Sequence, residues 1–138
     1  IKIFSKNFPI YAECGGMMLL GKSIFDMEGR EYSMAGVLPF KAKKSNLKIG
    51  YRELVSKNKS PITNPGNKLI GHEFHRWEII DDNYDKRIKP LWDIEGWDIE
   101  KRNEGFCNNL IHASWLHLHW ASSPIVINNW KKSVMRFA

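Results

Sequence analysis

A single strand-rich domain with short helices near its two ends is the fold that the residues predict. Two observations carry this. At 138 residues the chain is long enough for one domain with a real core and too short for two ordinary ones. Its apolar residues, 43% of the total against 26% charged, fall into short strand-like segments, with helical patterning only near each end. This balance is globular rather than disordered. No apolar run approaches the roughly 20 residues of a membrane helix. The opening IKIFSKNF is too short and too polar for a signal peptide. The chain begins at Ile1 rather than Met, which reads as processing or as a fragment.

Taken in order, Phe8 to Glu13 reads as a short buried strand and Met17 to Phe25 as a short helix packed on it. Lys41 to Ser60 is basic and mostly lacks clean alternation, but Ile49 to Val55 within it fits a strand. Ser60 to Lys68, SPITNPGNK, is a turn-rich loop, and Gly71 to Ile80 a further strand. WDIEGWDIE, Trp92 to Glu100, is a four-residue unit written twice around Gly96. Within each unit Trp and Ile share one face and Asp and Glu the other, as in two strand segments with a turn at Gly96. Ala113 to Ala121 completes the strands, and Asn128 or Asn129 is placed to cap a final helix.

The chemistry concentrates in PIYAECGGMMLL, Pro9 to Leu20. A strand that ends on Cys14 and turns at once into a helix presents the thiol in the open, and crowding of the backbone there favours small neighbours such as Gly15 and Gly16. A helix N-terminus lowers a thiol pKa, and the Gly15 N–H is placed to donate to an oxyanion on an attacked carbonyl. A buried cysteine before a Gly-rich turn would give the same local pattern, so a nucleophile needs a base elsewhere. SWLHLHW supplies two candidates. On a strand His117 and His119 share a face with Trp115, while Leu116, Leu118 and Trp120 face the core. A solvated strand face that happens to carry histidines is the alternative.

GHEFH adds His72, Glu73 and His75, which raises a zinc-binding or structural reading. Strand geometry turns His72 and His75 to opposite faces, and the two cysteines, Cys14 and Cys107, have no CxxC spacing. That cysteine usage fits a reducing, cytoplasmic setting. The formal charge of +6 permits a nucleic-acid partner or an anionic small molecule without choosing between them. The aromatics lie mainly outside the basic stretch, which argues against a stacking platform for single strands.

YAECGG with MMLLG, then IGYREL with GHEFH, then ASWLHLHW occur in this order along nearly the whole chain. Together they resemble the C-terminal glutaminase domain of the cobyrinic acid a,c-diamide synthases. The resemblance implies an α/β class I glutamine amidotransferase-like fold with a central mixed sheet. It implies that Cys14 attacks the glutamine side-chain amide, that His117 activates it, and that the released ammonia is used to amidate the a and c carboxylates of a corrin ring. His119 stands where full-triad amidotransferases carry a Glu, so a Cys–His dyad is expected, with His119 and Gly15 in support. Residues 1–138 would then be a partial glutaminase domain without its N-terminal part and without the ATP-binding synthetase domain. That absent domain would use ATP and Mg2+. No metal, nucleic acid or membrane is expected at this chain, and low activity is expected of it alone. Cobalt-bearing, cobalt-free and nickel tetrapyrrole acceptors remain open.

Overall fold

The computed structural model describes residues 1–82, 84 and 86–137, with the Asp82 side chain left aside. Among the described residues nine strands form one mixed sheet. In chain order they are β1 (Ile10–Glu13), β2 (Ser23–Phe25), β3 (Glu31–Ser33), β4 (Phe40–Ser56), β5 (Lys68–Asp82), β6 (Lys89–Gly96), β7 (Ile99–Cys107), β8 (Ile111–Ser114) and β9 (Leu116–Leu118). Helix α1 (Gly15–Leu20) follows β1, and α2 (Pro124–Val134) closes the chain. The sheet runs β1-β8-β7-β6-β4-β2-β3, with β5 paired to β4 and β9 paired to β5. β1 with β8 and β2 with β4 are parallel, and the other pairs are antiparallel. A large mixed sheet with a helix at each end matches the predicted α/β class.

Fully buried Met17, Leu38, Phe40, Leu91, Trp92, Ile94, Phe106 and Leu116 centre the core. The Phe40 and Phe106 rings stack at 4.9 Å. Gly105 is required where it stands. Its φ is +73°, and a Cβ there would meet the Ala113 carbonyl oxygen at 2.7 Å.

Several element boundaries differ from expectation. The helix after Cys14 stops at Leu20, and Ser23–Phe25 is a strand, because Lys22 N–H is taken by the Phe40 carbonyl and Ser23–Phe25 pairs with Lys41–Lys43. The basic stretch is one 17-residue strand, irregular in register between Lys44 and Lys48. Its lysines are partly neutralised: Lys41 Nζ lies 2.9 Å from Glu31, Lys43 Nζ 3.0 Å from Glu78, and Lys44 sits over the Trp77 ring. The β6–β7 turn falls at Gly96 as predicted, with Gly96 opposite Ile99. Trp92 and Ile94 are buried on one face as predicted, but Trp97 occupies the turn, 91% exposed, instead of opening a second strand segment with Ile99. Helix α2 begins at Pro124 after Ser123, so Asn128 and Asn129 lie inside it. A proline fits the first helical position because no hydrogen bond is asked of its nitrogen there. Asn129 instead donates to the Ile62 carbonyl at 3.1 Å, tying α2 to the loop before β5.

Candidate active site

Strand β1 ends at Glu13, and α1 begins at Gly15, so Cys14 alone makes the turn. Its φ is +48° and its ψ −109°, a conformation that L-residues avoid. Such a backbone costs about 1–3 kcal/mol and persists only where the surroundings hold it. The Cys14 N–H is held by the Ser114 carbonyl at 2.8 Å, and its own carbonyl accepts from Met18 at 3.1 Å. The crowding expected around Gly15 and Gly16 is not found. A Cβ on Gly15 would meet nothing within 4 Å, and one on Gly16 only Ala12 Cβ at 3.5 Å. The space beside the thiol is open.

The Cys14 thiol is half-buried, and its pKa is raised rather than lowered. Burial is the main cause, and the Glu13 carboxylate adds to it, outweighing a hydrogen bond from the Gly15 N–H. One short turn of helix does not overcome desolvation. A thiolate here therefore depends on a proton acceptor. Cys107 is fully buried, its thiol pushed up to about 12 by burial, and it lies away from this turn on β7.

The second half of the site arrives through β8. Parallel pairing sets Glu13 beside Ser114, and the chain then bends at Trp115 before β9. The predicted single strand over 113–121 is thus two, separated by that bend. Trp115 is buried instead of facing outward with the histidines, and its ring stacks on His75 at 4.4 Å. Beyond the bend the predicted alternation holds: Leu116 is buried, while His117 and His119 are exposed. Register with β5 sets His117 opposite His72.

His117 Nδ1 lies 3.5 Å from Glu13 Oε2. The carboxylate beside the nucleophile therefore meets the predicted base, a contact that sequence reasoning missed. The only sequence signal was that Glu13 and Tyr11 share a strand face two residues apart. Glu13 Oε1 accepts from the Leu118 N–H at 2.8 Å and from the Tyr11 hydroxyl, which itself accepts from Trp120 Nε1 at 3.1 Å. His119 lies just past β9, where its carbonyl accepts from Ser122. Among the described residues its ring makes no hydrogen bond or ion pair.

Below this surface is a polar layer. Glu104 is buried and accepts from Ser114 Oγ at 2.6 Å and from the Trp115 N–H at 2.8 Å, gripping the bend between β8 and β9. Burial raises its carboxyl to about 7, despite those hydrogen bonds. Glu73 receives Arg52 Nε at 2.8 Å, Arg102 Nη2 at 2.8 Å and His75 Nε2 at 3.0 Å. Burial alone would raise the Glu73 carboxyl, but hydrogen bonds from His75, Arg52 and Arg102 outweigh it and hold it well below the usual carboxylate range. His112 is buried against Ser60 Oγ at 3.0 Å, and desolvation lowers it to about 3. His75 and His112 are thus absorbed by the core, and His72 faces away from His75 as the strand geometry required. Among the described residues no three His, Cys, Asp or Glu side chains are grouped to hold a metal ion.

Comparison with known proteins agrees with this layout. A cobyrinate a,c-diamide synthase from Synechococcus sp. is 36% identical over 127 residues, 91% of this chain and 27% of that protein. A hydrogenobyrinate a,c-diamide synthase from Mycobacterium tuberculosis is 34% identical over 118 residues, 84% of this chain and 24% of that protein. A cobyrinate a,c-diamide synthase from Thermoplasma volcanium is 31% identical over 143 residues, 99% of this chain and 30% of that protein. The chain thus spans about a quarter to a third of the length of the curated relatives it matches. Residues 1–125, from the opening turns through the Cys14 elbow and the His117 strand into α2, match the CobB/CobQ-like glutamine amidotransferase domain, and the chain belongs to that family.

Proposed function

We propose that this chain is the glutamine-hydrolysing part of an ATP-dependent a,c-diamide synthase that acts on a corrinoid. The observation that carries the reading is the backbone of Cys14: a non-glycine residue held at φ +48° on a strand-to-helix turn, with open space at Gly15. Such strain clusters where a side chain must be presented for chemistry.

On this reading Cys14 Sγ attacks the side-chain carbonyl carbon of glutamine, and His117 takes the thiol proton. The oxyanion meets the Gly15 N–H. The C–N bond then breaks, the nitrogen takes the proton from His117 and leaves as ammonia, and a thioester remains on Cys14. Water, deprotonated by His117, releases glutamate. The raised thiol makes the base indispensable, because little thiolate exists beforehand. His119, two residues further along the chain, serves in support. Ammonia then amidates the a and c carboxylates of the corrinoid in the remaining length of the enzyme. That part would use ATP, with Mg2+, to activate each carboxylate. A cytoplasmic setting belongs to the same proposal. No helix among the described residues is long and apolar enough to cross a membrane.

The test is Cys14→Ser in the full-length enzyme. Glutamine-dependent amidation of a cobyrinate acceptor is expected to vanish, while amidation with free ammonia continues. Retained glutamine use would remove Cys14 from the mechanism.

A further inference from the structure

We infer that Glu13 is the positioning residue for His117 and takes the place of a triad carboxylate that follows the histidine. This rests on the proposed role of His117 as base. Three features lead to it. The carboxylate is fixed before it meets the imidazole: Oε1 is held by the Leu118 N–H at 2.8 Å and by the Tyr11 hydroxyl. Tyr11 is itself half-buried and tied to Trp120 Nε1 at 3.1 Å. Burial of Tyr11 and its hydrogen bond to Glu13 keep that hydroxyl protonated, so it stays a donor to the carboxylate. Oε2 is left toward His117 Nδ1 at 3.5 Å, a contact of the kind that tightens once substrate is bound. The position two residues after the base, which would hold an orienting carboxylate in a full triad, is His119, and its ring meets no partner among the described residues.

The chemical consequence concerns which nitrogen carries the proton. A carboxylate accepts and does not donate, so Glu13 selects the imidazole form with the proton on Nδ1. Nε2 then carries the lone pair that receives the Cys14 proton. The same side chain grips β9 through Leu118, so base orientation and strand position are set together. Because Glu13 immediately precedes Cys14, nucleophile and orienting group share one strand end, and β9, which follows β8, brings His117 to Glu13.

The experiment is a double-mutant cycle in the full-length enzyme, with glutaminase turnover and folding by circular dichroism measured on every variant. Glu13→Gln retains an oxygen for Leu118 and Tyr11 but turns an amide N–H2 toward Nδ1, which favours the wrong tautomer. The expected result is a fall in kcat of about 10²–10⁴-fold, the size of a base contribution, with KM nearly unchanged. In a His117→Ala background the same change is expected to cost almost nothing further. Nitrogen-15 imidazole shifts of His117 are expected to move from the Nδ1–H form to the Nε2–H form in Glu13→Gln. Glu13→Asp keeps the charge and is expected to recover part of the turnover; it is also the variant to use if Glu13→Gln does not fold. An undiminished loss in the His117→Ala background, or an unchanged tautomer, would make Glu13 a purely structural residue and overturn the inference while leaving His117 as base. Full turnover by His117→Ala alone would instead remove the base, and the inference with it.

Discussion

The proposed nucleophile and base, Cys14 and His117, are each suggested by a local pattern with a chemical reason: a cysteine before two glycines, and alternating histidines on a strand. Their division of labour is testable at this scale. His117→Ala is expected to lower glutaminase turnover by about 10²–10⁴-fold, whereas His119→Ala, whose ring has no partner among the described residues, is expected to cost less than tenfold. Steady-state ammonia release by the two variants decides it, and equal losses would reverse the assignment. The thiol was misjudged at the same scale. A helix N-terminus was expected to lower its pKa, yet α1 is only six residues long and desolvation dominates. Glu13 was not legible at all. Its meeting with His117 depends on a parallel pairing between residues about a hundred positions apart, and no local pattern encodes that.

At the scale of elements, β4, β5 and β7 meet at Glu73, which binds Arg52, His75 and Arg102. Arg52 is 5% exposed and Glu73 fully buried, so removing the carboxylate strands a buried guanidinium. Glu73→Ala is therefore expected to destabilise the fold by about 3–5 kcal/mol, read as a lowered denaturant midpoint, whereas a conservative Arg102→Lys change should cost less. GHEFH looked like a candidate metal motif, but its middle residue is the hub of an ion-pair network. The sequence disclosed that His72 and His75 diverge; it did not disclose that Arg52 and Arg102 would converge between them. The same elements show why strand lengths were underestimated. The first half of β4 is lysine-rich and irregular, so its alternation is broken although its pairing with β5 continues.

For the molecule as a whole, two buried groups titrate against each other. The Glu104 carboxyl, raised from 4.5 to about 7, contributes stability that is full below pH 4.5 and is lost as pH rises to 7. His112, lowered from 6.5 to about 3, contributes stability that is full above pH 6.5 and is lost as pH falls to 3. Between pH 4.5 and 6.5 the two slopes cancel. Glu104→Gln is expected to uncover the His112 slope there, so that the stability difference from the native protein changes by about 1.4 kcal/mol per pH unit. Urea titrations at several pH values measure it, and a pH-independent difference would show that Glu104 is ionised throughout. Below pH 4.5 the Glu73 carboxyl adds its own loss, since its pKa lies beneath the ordinary value. None of this could be read from composition, because it follows from which of the chain's ionisable groups the core encloses and how each is paired there.

β1 has β8 as its one sheet partner among the described residues, and the placing of both the proposed nucleophile and the proposed base depends on that pairing. A slip of one residue between these strands would carry the thiol about 3.3 Å along β8 and turn the side chains of β1 to the opposite face. Such a protein would keep its strand content, its core aromatics and every reactive group, and would still be inert. On the proposed function, turnover therefore depends on a choice of alignment made during folding, and the grip of Glu13 on Leu118 is one of the contacts that makes the choice.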